Sequence, residues 1–278
     1  MKIGFIGLGN MATAIIGGLL REGTTLSSED DNATVITAAN IIGSAKTEAT
    51  RQKRAEQFGI AVTASNREVA EAADVLVLAV KPQFFSEVIA EIRDAVSENT
   101  LVISIAAGLT LERIAGLFDR DVTAMRLIRC MPNTPALVNA GCTAVVPGPG
   151  ATEADEALCL RLMESFGRAI VIPERLMDAA SATAGSSPAF VFMFIEALAD
   201  GAVAAGMPRA QAYEFAAAAV AGSAQLVLET GRYPGDLKDM VCSPGGTTIE
   251  GVRVLEEGAF RASVMNAISA CVEKAKAL

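Results

Sequence analysis

The sequence predicts an α/β chain in two parts: a doubly wound parallel sheet over residues 1–172, then an all-α region over 173–278. Three observations predict it. Over the first part, short β-branched apolar runs alternate with amphipathic stretches, the pattern of strand–helix–strand units on a parallel sheet. From about Glu174 onward strand signal fades and Ala dominates. A Gly-x-Gly-x-x-Ala stretch, Gly7 to Ala12, also follows the first apolar run at once. With 278 residues, 51% of them apolar, the chain can bury the core of one large or two ordinary domains.

Taken in order, strands are expected at 2–7, 34–39, 75–80, 100–105, 123–128, 143–146 and 169–172. Helices are expected between them at 11–22, 46–58, 83–96 and 152–165, where apolar residues recur at helical spacing. The second region offers helices at 175–184, 188–206, 208–230, 247–257 and 260–276. Phe215 to Ala224 is almost entirely small and apolar, so a helix there needs cover on every side. A second subunit intertwined through the C-terminal helices supplies that cover, and a homodimer is expected; a buried central helix in a monomer is the alternative. No internal repeat or low-complexity linker is evident.

Composition removes several function classes. A formal charge of −9 without clustered Lys or Arg argues against a nucleic-acid partner, which requires cations to displace counterions. Five widely spaced cysteines form neither a CxxC pair nor a secreted disulfide framework and read as reduced thiols. The N-terminus runs straight into a strand, without the basic and apolar regions of a signal peptide, so a cytoplasmic protein is expected. Pro188 to Met207 has the length of a membrane span, but Glu196 and Asp200 would each cost roughly 2.5–3.5 kcal/mol at a bilayer centre, which favours a buried helix and no membrane partner. Histidine is absent, which excludes a Ser-His-Asp hydrolase, a histidine-assisted dehydrogenase and a His-rich metal site; no metal site is expected.

Gly7-Leu8-Gly9-Asn10-Met11-Ala12 closes a strand and opens a helix, the context in which this pattern marks a Rossmann-type dinucleotide site. The first Gly allows the tight turn, the second lets the backbone approach a pyrophosphate, and the helix end offers N–H groups. A plain glycine-rich turn is the bland alternative. The expected second strand ends Ala38-Ala39-Asn40, with no carboxylate before Glu48 to take a ribose 2′-hydroxyl. Asn40, Ser44 and Lys46, with Arg51 and Arg54 beyond, favour NADPH while leaving NADH possible; an ordinary solvated helix face is the alternative for the three cations. Lys81 and the Ala106-Ala107-Gly108 turn both lie at expected carboxyl ends of strands, where ligands of such sheets bind.

Cys242-Ser243-Pro244-Gly245-Gly246-Thr247-Thr248 reads as a helix start, with Ser243 as cap, Pro244 in the first turn and two glycines baring backbone N–H groups. Taken alone it is first a simple cap. It is also a turn able to hold a carboxylate, with two hydroxyls beside it.

These motifs together resemble the pyrroline-5-carboxylate reductases, which make proline from its cyclic imine precursor. The resemblance spans nearly the whole chain and rests on Gly4 to Met11, Ala79-Val80-Lys81-Pro82-Gln83, Arg129-Cys130-Met131-Pro132-Asn133-Thr134-Pro135, and above all Ser243 to Thr248. It implies a Rossmann domain followed by a helical dimerisation domain, a ring of dimers in many members, and an active site between the domains. Carried over by position, it implies that Ile6, Gly7, Leu8, Gly9, Asn10 and Met11 hold the pyrophosphate, that Asn40 lies near the adenosine ribose, and that Asn66, Val80, Lys81 and Ala107 flank the rest of the cofactor. For the substrate it implies Glu174, the backbone at Gly245, Gly246 and Thr247, and Thr248, whose hydroxyl meets the ring nitrogen.

The chemistry suits a chain without histidine. A protonated imine already carries the charge that a ketone needs a general acid to supply, so the enzyme chiefly aligns two reactants, worth about 7–11 kcal/mol. The chain departs from the family pattern at Ala184, Ser187, Phe190, Ala218 and Ala219, which touches packing near the substrate more than the reaction. A reductase of another small imine or keto acid is the runner-up; such enzymes rely on a catalytic Lys, and beyond residue 81 only Lys238, Lys274 and Lys276 exist. A cofactor-binding regulatory protein without turnover is the third reading.

Overall fold

A computed structural model of the chain describes residues 1–21, 25–26 and 34–276. β1 (Ile3–Ile6) leads through the glycine loop into α1 (Asn10–Arg21). β2 (Thr25–Leu26) and β3 (Thr34–Val35) pair with each other, antiparallel and apart from the main sheet. There follow β4 (Ile41–Ser44), α2 (Glu48–Phe58), β5 (Ala61–Thr63), α3 (Asn66–Ala72), β6 (Val75–Leu78), α4 (Phe85–Ile92), β7 (Leu101–Ser104), α5 (Leu111–Leu117), β8 (Leu127–Met131), β9 (Gly141–Pro147), α6 (Glu153–Glu164) and β10 (Gly167–Val171). The rest is helical: α7 (Met177–Ala180), a π-helical turn Ser181–Ser186, α8 (Ser187–Ala204), α9 (Arg209–Thr230), α10 (Pro234–Val241), α11 (Thr247–Glu257) and α12 (Phe260–Lys276).

The main sheet runs β10-β9-β8-β7-β6-β1-β4-β5. All neighbours are parallel except β8 and β9, where the turn Thr134–Val138 sends the chain back. Every residue of β1, β6 and β7 is buried, as strands covered on both faces must be, and that is why they read as unbroken apolar runs. Their side chains alternate between two cores. Ile3, Phe5, Leu101 and Ile103 meet α1 and α6 through Ile15, Ile16, Leu19, Leu162 and Met163. Ile6, Leu76 and Val102 meet α4 and α5 through Phe85, Ile89, Ile92 and Ile114. The Cys130 and Cys159 thiols touch in the first core, where that contact and burial push the Cys130 pKa well up; all five cysteines are free.

Two of the expected elements change. The second sheet strand is not 34–39 but Ile41–Ser44, level with Ile3–Ile6 across the ladder. Before it, Thr37 caps a 3-10 turn, Ala38–Asn40, through a reciprocal bond with Asn40. The strand expected at 123–128 begins at Leu127, behind another turn capped by Asp121. β5, α3, α5 and α10 were not foreseen. β5 is a three-residue edge strand, α3 and α5 have seven residues each, and α10 has eight, too little sequence for periodicity to show.

The chain divides into two compact units, Met1–Gly185 with Lys274–Leu278, and Ser186–Glu273. The second buries Ala199, Ala212 and Ala216 where α8 meets α9, and Phe194 rests on Phe260 of α12 at 5.9 Å between ring centroids. Phe192, Met193, Phe215 and Met265 are more than 60% exposed, so the apolar cover expected for Phe215 to Ala224 does not come from the chain itself. The helical stretch Glu174–Ala204 is long and apolar enough to cross a membrane by length and composition.

An ion pair between buried Asp155 and partly exposed Arg126 ties β8, α6 and the β7 approach together. Asp155, 1% exposed, accepts from the Thr152 N–H and hydroxyl at 2.9 and 2.8 Å, closing the first turn of α6, and pairs with Arg126, which also donates to the Asn99 carbonyl. Burial pushes the Asp155 carboxyl up, but the Arg126 and Thr152 bonds outweigh it and hold the group below its ordinary value. With a depressed native pKa its contribution is complete above the unfolded value and is lost as pH falls through the native one. Asp155→Ala should therefore cost about 2 kcal/mol at neutral pH and flatten the loss of stability below about pH 4. Thermal melts across pH check both.

Candidate functional site

The chain leaves β1 toward β4 on one side and toward β6 on the other, so a crevice opens at the carboxyl end of β1. Gly7 occupies that point. Its N–H donates to the Ser44 carbonyl at 3.1 Å, its φ is +94°, and a Cβ there would lie 2.9 Å from the Ala79 carbonyl oxygen. Only glycine meets both demands. At Gly9 the situation is reversed: a Cβ would meet no protein atom within 4 Å, so its backbone is bare toward solvent. α1 starts at Asn10 with no acid in its first turn, which leaves the positive end of its dipole for an anion. A pyrophosphate fits such a loop.

Beside the loop lies a cavity of about 340 Å³ whose wall includes Gly7, Ser44, Lys46, Asn66, Val80 and Glu91. Of the expected cofactor residues, Gly7, Asn66 and Val80 line it, from the ends of β1 and β6 and the start of α3, while Ile6 is fully buried in the second core. Lys81 and Ala107 are exposed at the ends of the following loops and do not line this cavity. Asn40 is a correction. It precedes β4 at the amino end of the sheet, where its amide donates to the Met1 carbonyl at 3.1 Å and accepts from the Thr37 N–H at 2.9 Å. Because β4 starts seven residues later than expected, the position following the strand is Ala45-Lys46, and the groups there are Ser44 and Lys46.

Two of the three expected cations are also reassigned. Arg51 donates to the Ala45 carbonyl at 2.7 Å and the Lys46 carbonyl at 3.2 Å, and pairs with Glu48. Arg54 reaches the Leu8 carbonyl at 3.3 Å and Gln57 at 2.7 Å. Both hold loop backbone in place. Lys46 is exposed and makes no ion pair among the described residues.

A second cavity, about 360 Å³, is walled by Gly108, Thr110, Arg129, Glu174 and Asp178. Glu174 Oε1 accepts the Leu111 N–H at 2.9 Å, capping α5, and Arg129 donates to the same oxygen at 3.1 Å. Arg129 is 6% exposed, while the Glu174 carboxylate keeps access to solvent. Farther along the same motif, Asn133 donates to the Ala184 carbonyl at 2.9 Å and accepts from the Cys142 N–H at 2.8 Å. The sequence singled out both residues only as part of a motif; nothing in their spacing foretold these partners.

The Ser243–Thr248 segment differs from the expected helix start. Gly246 donates to the Ser243 carbonyl at 3.0 Å with Gly245 at φ +68°, the Pro-Gly order of a type II turn. α11 begins only at Thr247, with Gly246 as its cap and no side chain on its first N–H groups. Ser243 therefore closes the turn and is not the cap. A Cβ on Gly246 would run into its hydroxyl. Thr247 and Thr248 stand exposed on the uncovered first turn, a donor set suited to a carboxylate with a hydroxyl beside it.

Among known families, the one described as pyrroline-5-carboxylate reductase dimerisation matches residues 174–278, and the one described as NADP oxidoreductase, coenzyme F420-dependent, matches residues 2–108. The pyrroline-5-carboxylate reductase of Escherichia coli (strain K12) is 51% identical over 281 residues, covering 100% of this chain and 98% of the relative. A solved pyrroline-5-carboxylate reductase from Coxiella burnetii is 34% identical with a TM-score of 0.89, covering 99% of this chain and 97% of its own. The Plasmodium falciparum pyrroline carboxylate reductase, solved with NADP bound, is 30% identical with a TM-score of 0.81, covering 100% and 97%.

The two loop glycines should separate experimentally. Gly7→Ala meets both a positive φ, worth about 1–2 kcal/mol, and the Ala79 carbonyl, so it should lower both the melting temperature and dinucleotide affinity. Gly9→Ala should melt like the parent and lose affinity alone. Melting curves alongside dinucleotide titrations distinguish the two.

Proposed function

The chain belongs to the pyrroline-5-carboxylate reductase family, and from that premise we infer that it reduces 1-pyrroline-5-carboxylate to L-proline with NADPH or NADH. The single observation that carries the assignment of residues is the uncovered first turn of α11 behind a Pro-Gly turn. It offers backbone N–H groups for a carboxylate and the Thr248 hydroxyl for a neighbouring nitrogen.

The bound cofactor supplies the hydride that the imine carbon receives. The chain's own residues bind and orient. The loop from Ile6 to Met11 and the amino end of α1 take the pyrophosphate, Gly9 allowing close approach. Lys46, exposed and without an ion pair among the described residues, offers a cation by the adenosine end, the position of a 2′-phosphate. Gly245, Gly246 and Thr247 fix the substrate carboxylate, and the Thr248 oxygen accepts the proton of the iminium nitrogen as a hydrogen bond, orienting the ring. The C=N bond gains the hydride at carbon, its π electrons become the nitrogen lone pair, and no side chain has to give up a proton. Glu174, with Oε1 committed to Leu111 and Arg129, keeps Oε2 as the acceptor through which it would bind the substrate.

The match of residues 174–278 to a dimerisation family supports a homo-oligomer formed through the C-terminal helices. A second copy laid on Phe192, Met193, Phe215 and Met265 gives these side chains the cover that one chain does not, which favours an interface over a membrane for Glu174–Ala204. A ring of such dimers and a cytoplasmic location, where reduced nicotinamide is available, complete the proposal.

Loss of reduced-nicotinamide absorbance on mixing the protein with pyrroline-5-carboxylate tests the reaction; a protein that binds NADPH yet oxidises none overturns it. Thr248→Ala should lower kcat about 10- to 100-fold without changing cofactor affinity, and Thr248→Ser should recover most of it. Lys46→Ala should raise KM for NADPH about tenfold and leave KM for NADH near the parent value. Steady-state kinetics with each cofactor read both.

A further inference from the structure

Glu91 lies on the wall of the cavity that the preceding reading assigns to the cofactor, and it is out of place there by charge. A carboxylate facing a phosphate-bearing ligand weakens binding unless it has another task. Its partner is Asn66: the Asn66 amide nitrogen donates to Glu91 Oε2 at 2.7 Å, and Asn66 Oδ1 accepts from the Ser44 hydroxyl at 2.7 Å. Ser44 is fully buried, and its carbonyl holds the Gly7 N–H.

The order of donors in this chain of bonds has only one solution. An ionised carboxylate accepts and never donates, so the amide must turn its NH2 toward Glu91. The amide oxygen then faces Ser44, and the Ser44 hydrogen is spent on it. Without Glu91 the amide can rotate by half a turn, placing its NH2 on the Ser44 oxygen and its carbonyl toward the cavity. Such a carbonyl repels the oxygens of a ribose or phosphate, whereas the second N–H of a fixed NH2 binds them.

We propose that Glu91 is a positioning residue for the cofactor: through Asn66 it presents an N–H donor, and not a carbonyl, to the bound nucleotide. The proposal rests on the cavity being the cofactor site, and the Asn66 variant separates failure of that reading from failure of this one.

NADPH dissociation constants of the full-length protein, with melting curves as a check on folding, provide the test. Glu91→Ala should weaken binding about fivefold, opposite in sign to the effect of merely removing an acid beside an anion. Glu91→Gln, whose amide oxygen still accepts from Asn66, should restore most of it. Glu87→Ala takes the same charge from the same wall without a bond to Asn66, and should bind at least as tightly as the parent. In an Asn66→Ala background, Glu91→Ala should add nothing. The proposal is overturned if Glu91→Ala binds equally or more tightly while Asn66→Ala is weak, if Glu87→Ala weakens binding as Glu91→Ala does, or if the two losses add in full. Asn66→Ala binding like the parent would overturn the cavity assignment itself, and the proposal with it.

Discussion

The bond from the Gly7 N–H to the Ser44 carbonyl is the constraint on which the cofactor half depends. It joins the ends of β1 and β4 at the point where β6 closes in from the other side, with the Ala79 carbonyl against the Gly7 α-carbon. Three strand ends crowded this way leave the loop no freedom to drift. The surrounding charged residues complete the clamp: Arg54 holds the Leu8 carbonyl, and Arg51 holds those of Ala45 and Lys46. Guanidinium groups that look in sequence like phosphate ligands are thus used to fix backbone. With these guanidinium groups engaged, the acid-free start of α1 and the exposed Lys46 are the groups the proposed reading assigns to an anion.

What was legible in the sequence follows from burial. The central strands, covered on both faces, announce themselves as unbroken apolar runs, and Gly7 to Ala12 was recognisable because it follows one of them. The strand that pairs beside β1 was not legible. Thr34 to Ala39 is as β-prone as Ile41 to Ser44, and the choice between them is made by alignment with Ile3, a contact across the sheet that local pattern does not encode. That one displacement carried Asn40 to the wrong end of the sheet. Thr248 is singled out by the family resemblance, because its Pro-Gly-Gly turn taken alone reads first as a simple cap. Glu91 gave no signal, since an acid on an amphipathic helix reads as solvated surface until its partner on another helix is seen.

The helical unit is limited by its small residues. Ala199, Ala212 and Ala216 let α8 and α9 approach closely, but alanines bury little apolar area, so packing inside one chain leaves the large side chains outside. The Asp200–Arg209 pair and Glu196 on the same stretch are costly in lipid and harmless at a protein interface with access to water. A dimerisation surface satisfies both the apolar and the charged residues of Glu174–Ala204; a bilayer satisfies only the first.

The same side chains bear on the kind of carbonyl-like carbon that is reduced. A keto acid acquires negative charge on oxygen as hydride arrives, and with no histidine a lysine would have to protonate it. Lys238 is the one lysine near the Pro-Gly-Gly turn, and its bond to Asp239 raises its pKa, which makes it a poorer proton donor than an ordinary lysine. An iminium carbon loses charge as hydride arrives and requires no acid, only an acceptor to hold the N–H in line. A threonine hydroxyl on an open helix turn can do that. The absence of histidine from this chain is thus matched to a substrate that brings its own proton.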